Sequence, residues 1–441
     1  MLLQDMGIDP MCRQSPAWAV KIAAIARRAL RGATRQGRPT ATRIADRRQD
    51  PVASAVGLGA LLLALVWCLL VAPAARAATD AAPLLYAGFA FSGDHRNRAH
   101  LYPISAELAE EGNGAHLDGL LRDRLLKRSA LRQRVSLDVY DGKADVSSVA
   151  FALVQESAEV QRIEGKHWVI VTMQANVLAF NPSTKSVVAS YPVRMRFTRV
   201  RDRTPSAQDL RDIVREAYTS PNPAENVFDR WVDRLEKLPV RQGAVKRLRV
   251  TAVDLSPEAL RAAEAGGADA AALRNQLAIL VEGAVAESAG IAVIPSSVGE
   301  AIGSKMAFRF ANGSEIDLSL PDPDYALSFR LRDFVSKTLD KPDYRQVIYR
   351  VKAGITLRGV ALDRMVLDEN VYDTNIVTLP KRADIRLDDW QQYVKTLQSL
   401  ITSLGRQLAA PQDAWLQERA SRALEAKGSF VAANQVLQEL R

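Results

Sequence analysis

Two histidines and a neighbouring aspartate are the first residues in this chain that could carry chemistry. Asp94, His95 and His100 lie close together in a polar stretch, and imidazole combined with carboxylate is a common metal-binding set. The five-residue spacing of the histidines on an irregular loop is not that of a diagnostic metal motif, and loop histidines are usually solvated. The sequence therefore predicts no metal site.

Paired aspartates form a second candidate group. Asp322/Asp324 and Asp340/Asp343 could supply the two carboxylates of a glycoside hydrolase. Prolines at 321, 323 and 342 place them at strand entries, where aspartate commonly makes turns and caps. The sequence also has no P-loop, no GxGxxG after a strand, no HExxH and no GxSxG. We therefore assign no catalytic residue and no cofactor, and we expect a protein that is not an enzyme.

A row of arginines is the third group. Strand alternation places Arg194 and Arg196 on one face, opposite Val193, Met195 and Phe197. A solvated outer face is the ordinary interpretation, and the alternative is contact with an anionic partner such as lipid headgroups or glycan. The residues proposed for a partner surface are Arg194, Arg196 and Arg199, and Arg201 and Arg203 continue the row.

Charge and cysteine usage exclude several classes of function. The net charge of +9 in 441 residues resembles a nucleic-acid signal, but residues 1–50 hold ten Lys/Arg and four Asp/Glu, so +6 of it lies there. Residues 78–441 carry 48 basic and 46 acidic side chains, a nearly neutral balance that predicts no nucleic-acid binding. Cys12 and Cys68 both precede this part, which excludes disulfides and thiolate sites from it.

The N-terminal segment has the pattern of an export signal. Arg47 and Arg48 precede an apolar run without charge, residues 53–72, and Ala75-Arg76-Ala77 has the small-x-small form of a signal-peptidase site. We expect cleavage before Ala78 and a periplasmic mature chain, and the alternative is a retained membrane anchor. Trp67 before Cys68 does not fit a lipobox, so no lipid anchor is predicted.

Hydrophobic periodicity predicts a mixed α/β fold with two tandem β-α-β-α-β-β units, each with its own sheet. In the first unit we predict strands at Leu84–Phe91, Val135–Tyr140, His167–Phe180 and Ser186–Val200; helices at Leu117–Leu131, Ser147–Ile163, Ser206–Tyr218 and Ala224–Leu238; and irregular chain at His95–His116. In the second unit we predict strands at Leu248–Leu255, Ile291–Pro295, Asp324–Phe334 and Arg345–Leu357, and helices at Leu273–Gly290 and Ser297–Phe308.

The segments after the second unit are predicted to be two further strands and three helices. The strands are Leu357–Leu367 and Val371–Leu379, and a helix over Leu387–Leu408 carries a stripe wide enough to pack across a sheet. Residues Ala414–Leu440 predict two short helices hinged at Gly428, with spacing that resembles part of a tetratricopeptide repeat. The domain boundaries are therefore 1–50 (basic extension), 51–77 (signal), 78–243 and 244–410 (the two units) and 411–441 (helical hairpin).

The order of elements in the second unit resembles a known family. A strand ended by proline (Ile291–Pro295) and an Asp-Tyr entry to the next strand (Asp324-Tyr325) are similar to the CsgG/TolB-N/LpoB group of bacterial envelope proteins. The resemblance implies a non-enzymatic periplasmic adaptor or assembly factor that works by protein–protein contact within an envelope complex, with outer-membrane or peptidoglycan association. The alternative function is an exported hydrolase of envelope polymers with a carboxylate site.

Overall fold

The computed structural model of this chain describes residues 84–93, 98–111, 115–138, 147–163, 165–238, 246–296, 301–302, 305–310, 313–380 and 387–441. The predicted basic extension, the apolar run and the cleavage site lie outside the described residues. The side chains of His95 and His100 also lie outside them.

The first half of the described chain alternates long strands with short helices. Its strands are β1 (Leu84–Ser92), β2 (Val135–Ser136), β3 (Ser148–Ile163), β4 (Lys166–Asn181) and β5 (Ser186–Arg201). Its helices are α1 (Arg98–Leu101), α2 (Pro103–Glu111), α3 (Ala115–Lys127), α4 (Ser129–Arg132), α5 (Ala207–Thr219) and α6 (Val227–Lys237), with a 3-10 turn at Pro223–Glu225. Asn226 caps α6 by accepting from the amides of Phe228 and Asp229.

The second half has eight strands and five helices among the described residues. Its strands are β6 (Leu248–Leu255), β7 (Val293–Ile294), β8 (Ala301–Ile302), β9 (Lys305–Phe310), β10 (Glu315–Ser319), β11 (Tyr325–Asp340), β12 (Tyr344–Gly359) and β13 (Arg364–Pro380). Its helices are α7 (Pro257–Ala265), α8 (Ala270–Ala289), α9 (Asp389–Ala409), α10 (Asp413–Arg419) and α11 (Ala423–Glu439). The mixed α/β class with C-terminal helices is thus confirmed.

The two halves repeat one strand arrangement. In the first half β1 is parallel to β2 and to β3, and β3, β4 and β5 form an antiparallel meander. In the second half β6 is parallel to β7 and to β11, and β11, β12 and β13 form the same meander. The first two residues of β1 pair with β2, and the first two residues of β6 pair in the same way with β7. The two halves thus have the same strand order although their sequences are very different.

The prediction of two separate sheets is wrong. The strands run in one order, β10-β9-β1-β3-β4-β5-β7-β6-β11-β12-β13. Strand β7 joins the halves because it pairs with β6 on one side and, at Ser190↔Val293, with β5 on the other. A hairpin of the second half, β9–β10, also pairs with β1 and meets β5 at Ser319↔Ser186. Among the described residues of the first half, no hairpin corresponds to it.

Three hydrophobic clusters form the core. One lies on the helical side of the first half and is built from strands β1–β5 and helices α1–α6. A second lies within residues 248–440 and is built from β6, β11–β13 and helices α7–α11. The third joins the halves, because Leu178, Phe180 and Val187 pack there against Met306, Phe308 and Leu318 of the β9–β10 hairpin.

Two predicted helices are strands in the structure. Ser147–Ile163 was predicted from amphipathic spacing but forms β3, because Val149–Leu153 is buried on both faces, against two different clusters. A continuous apolar run fits either a buried strand or a helix, and pairing with β4 in a hairpin and with β1 in parallel decides for the strand here. Ser297–Phe308 was likewise predicted as a helix, whereas Lys305–Phe310 is β9, which pairs with β1 about 220 residues earlier (Ala90↔Phe310).

Smaller corrections concern boundaries. The stretch predicted as irregular contains α1 and α2, and the strand predicted to reach Tyr140 is described only as Val135–Ser136. The run Leu357–Leu367 is no single strand, since β12 ends at Gly359 and β13 begins at Arg364. The tail does not hinge at Gly428, which lies inside α11; the break comes at Ala420–Arg422, where Ala420 bridges to Val371 of β13.

The packing predicted for the helix at Leu387–Leu408 is confirmed. In α9, Leu397, Leu400, Ile401 and Leu404 are at most 2% exposed and belong to the cluster that includes Val351 and Ile355 of β12. Gly405 lets α9 approach α8 closely, because a Cβ at this position would collide with the backbone carbonyl of Ala284. Helices α8 and α9 thus form one layer on the inner face of the second meander.

Candidate functional site

The outer face of the second meander is open, and we call it the open face. The helices that touch β11–β13 contribute their side chains to the buried cluster on the opposite face. Cross-strand register places Arg330, Gly354 and Asn370 in one row of the open face, and Lys352 and Tyr372 in the next. Within the part of the chain that the structure describes, the meander therefore presents an ordered but uncovered surface.

Positive charge dominates the open face. Arg330, Arg332, Arg350 and Lys352 are exposed, and a Cβ at Gly354 would meet the Arg332 guanidinium at 3.2 Å, so Arg332 lies across the sheet. Arg350 stacks over the Tyr372 ring at 4.8 Å. Arg330 and Lys352 have acidic neighbours, Asp254 at 3.4 Å and Asp333 at 3.7 Å, in exposed pairs that stabilise little.

A cleft of about 320 Å³ lies between the first meander and the helices of the second half. Its floor is the face of β3–β5 that points away from α5 and α6. A bulge between Leu153 and Gln155 reverses the alternation of β3, so that Gln155, Ser157 and Glu159 face the cleft and Glu156 faces the core. Register then gives two polar rows across the floor: Gln155–Gln174–Arg194, and Ser157–Thr172–Arg196.

The roof of the cleft is mainly apolar, although Gln276 and Gln398 also line it. It is formed by Leu273, Leu277 and Leu280 of α8 and by Trp390, Val394 and Leu397 of α9. The inner end is closed by a hydrogen bond from the Gln174 amide to the carbonyl of Ile279, 3.0 Å long. The outer end is flanked by exposed Glu159 and by Asp269, the N-cap of α8. The cleft thus has one polar wall and one mainly apolar wall.

The three arginines proposed for a partner surface do not share one surface. Arg194 lines the cleft, and Arg196 is exposed in the next row of the same strand face. Arg199 lies on the opposite face, where it contacts the Phe197 ring and pairs with Glu216 and Glu225, each at 2.7 Å. The hydrogen bond to Glu225 raises the pKa of Arg199 and lowers that of Glu225. Arg199 therefore fixes the turn after α5.

The paired aspartates do not converge on one site. Asp324 and Asp340 stand at opposite ends of β11, about 50 Å apart along an extended strand of this length. Asp324 anchors the start of β6 by accepting the backbone N–H of Arg247 at 2.7 Å. Asp322, Asp340 and Asp343 are exposed. Asp324 thus has the turn-forming role predicted for it.

Two buried glutamates lie along the first meander. Glu156 accepts the amides of Ile104 and Ser105 at the start of α2 and the Ser105 hydroxyl, which also contacts Tyr218; burial raises the pKa of Glu156. Glu282 of α8 accepts the Ser296 amide at 2.7 Å, and burial raises its pKa to about 8. Glu282 borders a cavity of about 20 Å³ that also touches Asn176 and Asn275, which is room for one water molecule.

Sequence reasoning did not identify the open face or the cleft. Alternating polar residues in β4, Thr172 and Gln174, were a usable signal for a polar inner wall. The matching residues of β3 were hidden by the helix prediction, and the roof comes from α8 and α9, about one hundred and about two hundred positions later. Among the described residues, no group of three or more His, Cys, Asp and Glu side chains could hold a metal ion.

Comparison with known proteins gives structural likeness only. No protein-family model matches this chain, and no curated protein matches it. The chain is similar to a DUF330-family protein of Xanthomonas campestris, with 14% identity over 46% of this chain and 93% of that one and a TM-score of 0.21. It is also similar to a minor lipoprotein of Acinetobacter baumannii, with 10% identity over 41% of this chain and 99% of that one and a TM-score of 0.20. The described residues contain no helix with the length and apolar character to cross a membrane.

Proposed function

We propose that this protein is an exported adaptor or assembly factor of the bacterial cell envelope that acts by contact with a protein partner. The N-terminal charge pattern and the Ala75-Arg76-Ala77 site support export. N-terminal sequencing of the protein from its native cells is expected to begin near Ala78. A mature chain that begins at residue 1 would contradict export.

The open face is the observation that carries the proposed function. Three long strands expose a regular surface with four cations, whereas their other face is buried by helices. A sheet face that is folded and left uncovered supports a binding role, and its charge favours an acidic partner. Exposed Ile376 of β13, which pairs in register with Ile348, adds an apolar contact at its rim.

Site-specific crosslinking in native cells tests this proposal. A photo-crosslinking residue at Ile376 is expected to capture one envelope protein, whereas the same residue at exposed Gln208 of α5 is the matched control. Reversing charge with Arg350→Glu and Lys352→Glu together is expected to abolish the crosslink, because it places two acids opposite an acidic partner. Arg261→Glu, at an exposed position of α7, should leave the crosslink unchanged.

Two results would contradict an adaptor role. One is capture of the same products from Ile376 and Gln208, which would show non-specific contact. The other is turnover of purified peptidoglycan by the purified chain, lost on changing one or two carboxylates, which would establish a hydrolase instead.

A further inference from the structure

We propose that the cleft between the first meander and helices α8 and α9 binds a small amphiphile, with a single unbranched apolar chain and one anionic group. The chain would lie along the leucine roof, and the anionic group would bind Arg194 on the floor. This site is distinct from the open face and does not depend on its role.

The shape of the cleft selects a small ligand. Its volume of about 320 Å³ is at the lower end of the range of ligand sites, roughly 300–1,000 Å³. It is closed inward by the Gln174–Ile279 hydrogen bond and by the cluster at Leu178 and Phe180. A ligand would therefore enter from the outer end, between Glu159 and the start of α8.

The roof selects an apolar chain. Within the roof, Leu277 and Leu397 are buried, while Leu280 and Val394 are half-buried and present their remaining surface to the cleft. These side chains offer dispersion and hydrophobic contact, and side-chain hydrogen bonding along the roof is limited to Gln276 and Gln398, so an extended polar face of a ligand would lose most of its hydration without compensation. An alkyl chain has no such cost.

The floor selects an anion at one end of that chain. Arg194 is the cation that lines the cleft, and its acidic neighbour on α8, Glu287, interacts with Arg230 and Arg234 as well as with Arg194. Its stem is held against α8, since a Cβ at Gly283 would meet Arg194 Cδ at 3.1 Å and the Gln174 amide at 3.5 Å. Gln155 and Gln174 adjoin it in the same row and can complete the contacts of a carboxylate or phosphate.

Two carboxylates near the cleft stand away from this row, whereas Glu287 of α8 accepts the backbone N–H of Arg194. Glu159 lies two rows outward, beside Ile170, and Asp269 uses its side chain to cap α8 through the Ala272 amide at 2.7 Å. The mouth is therefore acidic, whereas the three arginines around Glu287 leave an excess of positive charge at the inner row. This polarity orients an anionic amphiphile with its charged group inward at Arg194 and its chain under the roof.

Calorimetric titration of the purified full chain with soluble amphiphiles tests the proposal. Dodecanoate is expected to bind, and dodecyltrimethylammonium of equal chain length is expected to bind at least about tenfold more weakly. Hexanoate should also bind more weakly, because it covers less of the roof. A monoacyl phosphatidic acid serves as a further arm: tighter binding than dodecanoate would identify a lipid source of the anion, and weaker binding a free fatty acid.

Three variants locate the binding. Arg194→Gln is expected to weaken dodecanoate binding about tenfold or more, whereas Arg196→Gln, one row outward and outside the cleft lining, is the matched control. Ala272→Trp fills the cleft from an exposed position that does not enter the core, so it is expected to abolish binding without affecting stability.

Either of two outcomes would overturn the proposal. If wild-type protein binds no amphiphile, or binds the cationic one equally well, the assignment of the anionic group fails. If Ala272→Trp binds dodecanoate as wild type does, binding occurs elsewhere, for example at residues 53–72, and the cleft is not the site.

Discussion

Replacing Glu282 by glutamine is expected to stabilise the protein at neutral pH. Glu282 is 4% exposed, and burial raises the pKa of its carboxyl from 4.5 to about 8. Because the folded-state pKa lies above the unfolded-state value, this group contributes stability that is fully present below pH 4.5 and is lost as pH rises towards 8. At neutral pH the folded protein must hold a proton that the unfolded chain would release.

The magnitude follows from the two pKa values. The unfolded carboxyl is about 2.5 pH units above its pKa at neutrality, so keeping it protonated costs the folded state about 3 kcal/mol. Glutamine avoids that cost, since it is neutral at every pH and its amide oxygen can still accept the Ser296 amide. Its NH₂ group has a candidate acceptor in Asn176 Oδ1, which borders the same cavity and has no hydrogen-bond partner among the described residues.

Denaturant unfolding of the full chain between about pH 5 and about pH 8 measures this effect. Wild type is expected to lose about 3 kcal/mol over that range from this group, and Glu282→Gln should lose correspondingly less. Glu264→Gln, at an exposed position of α7, is the control for a general charge effect. A Glu282→Gln variant that is less stable than wild type at pH 7 and keeps the wild-type pH slope would refute the reasoning.

Two further predictions concern α9 and its contacts. Gly405→Ala is expected to destabilise the protein, although alanine favours helix by about 1 kcal/mol, because the added methyl collides with Ala284. Gly428→Ala in α11, which has open space around it, should instead stabilise the protein by about 0.5–1 kcal/mol. Equal effects at both sites in chemical denaturation would contradict the close approach of α8 and α9. Ile401→Ala is expected to cost about 2–5 kcal/mol, measured in the same way, and an unchanged unfolding midpoint would show that this stripe is not core.

Sequence patterns predicted the parts of the fold that depend on local signals. The hairpin at Asn181-Pro182-Ser183 and the periodic helices at 273–290 and 387–408 were found because turn chemistry and a 3.6-residue period act within a few residues. The failures at β3 and β9 share a cause, since each strand also pairs with β1, far from it in the sequence, and such pairing is not visible in the strand's own pattern. The domain boundaries at 243 and 410 stay a prediction, although the two largest clusters divide between residues 238 and 248.

The candidate sites were harder to predict than the fold. Arg194 was selected as part of a row along one strand, but its setting in a cleft depends on Gly283, on a bulge in β3 and on a roof contributed by α8 and α9. The open face requires knowing which side of β11–β13 the helices cover. Neither fact can be obtained from spacing within a single segment.

The β9–β10 hairpin imposes an order on the assembly of this protein during synthesis. Ala90 and Ser186 meet their partners Phe310 and Ser319 only after more than a hundred further residues have left the ribosome. Until then, Leu178, Phe180 and Val187 have no apolar cover, and two strand edges remain open to association with other chains. A nascent or truncated chain that stops before residue 305 is therefore a candidate for chaperone capture, and cutting the chain between its halves would not yield a self-sufficient first half.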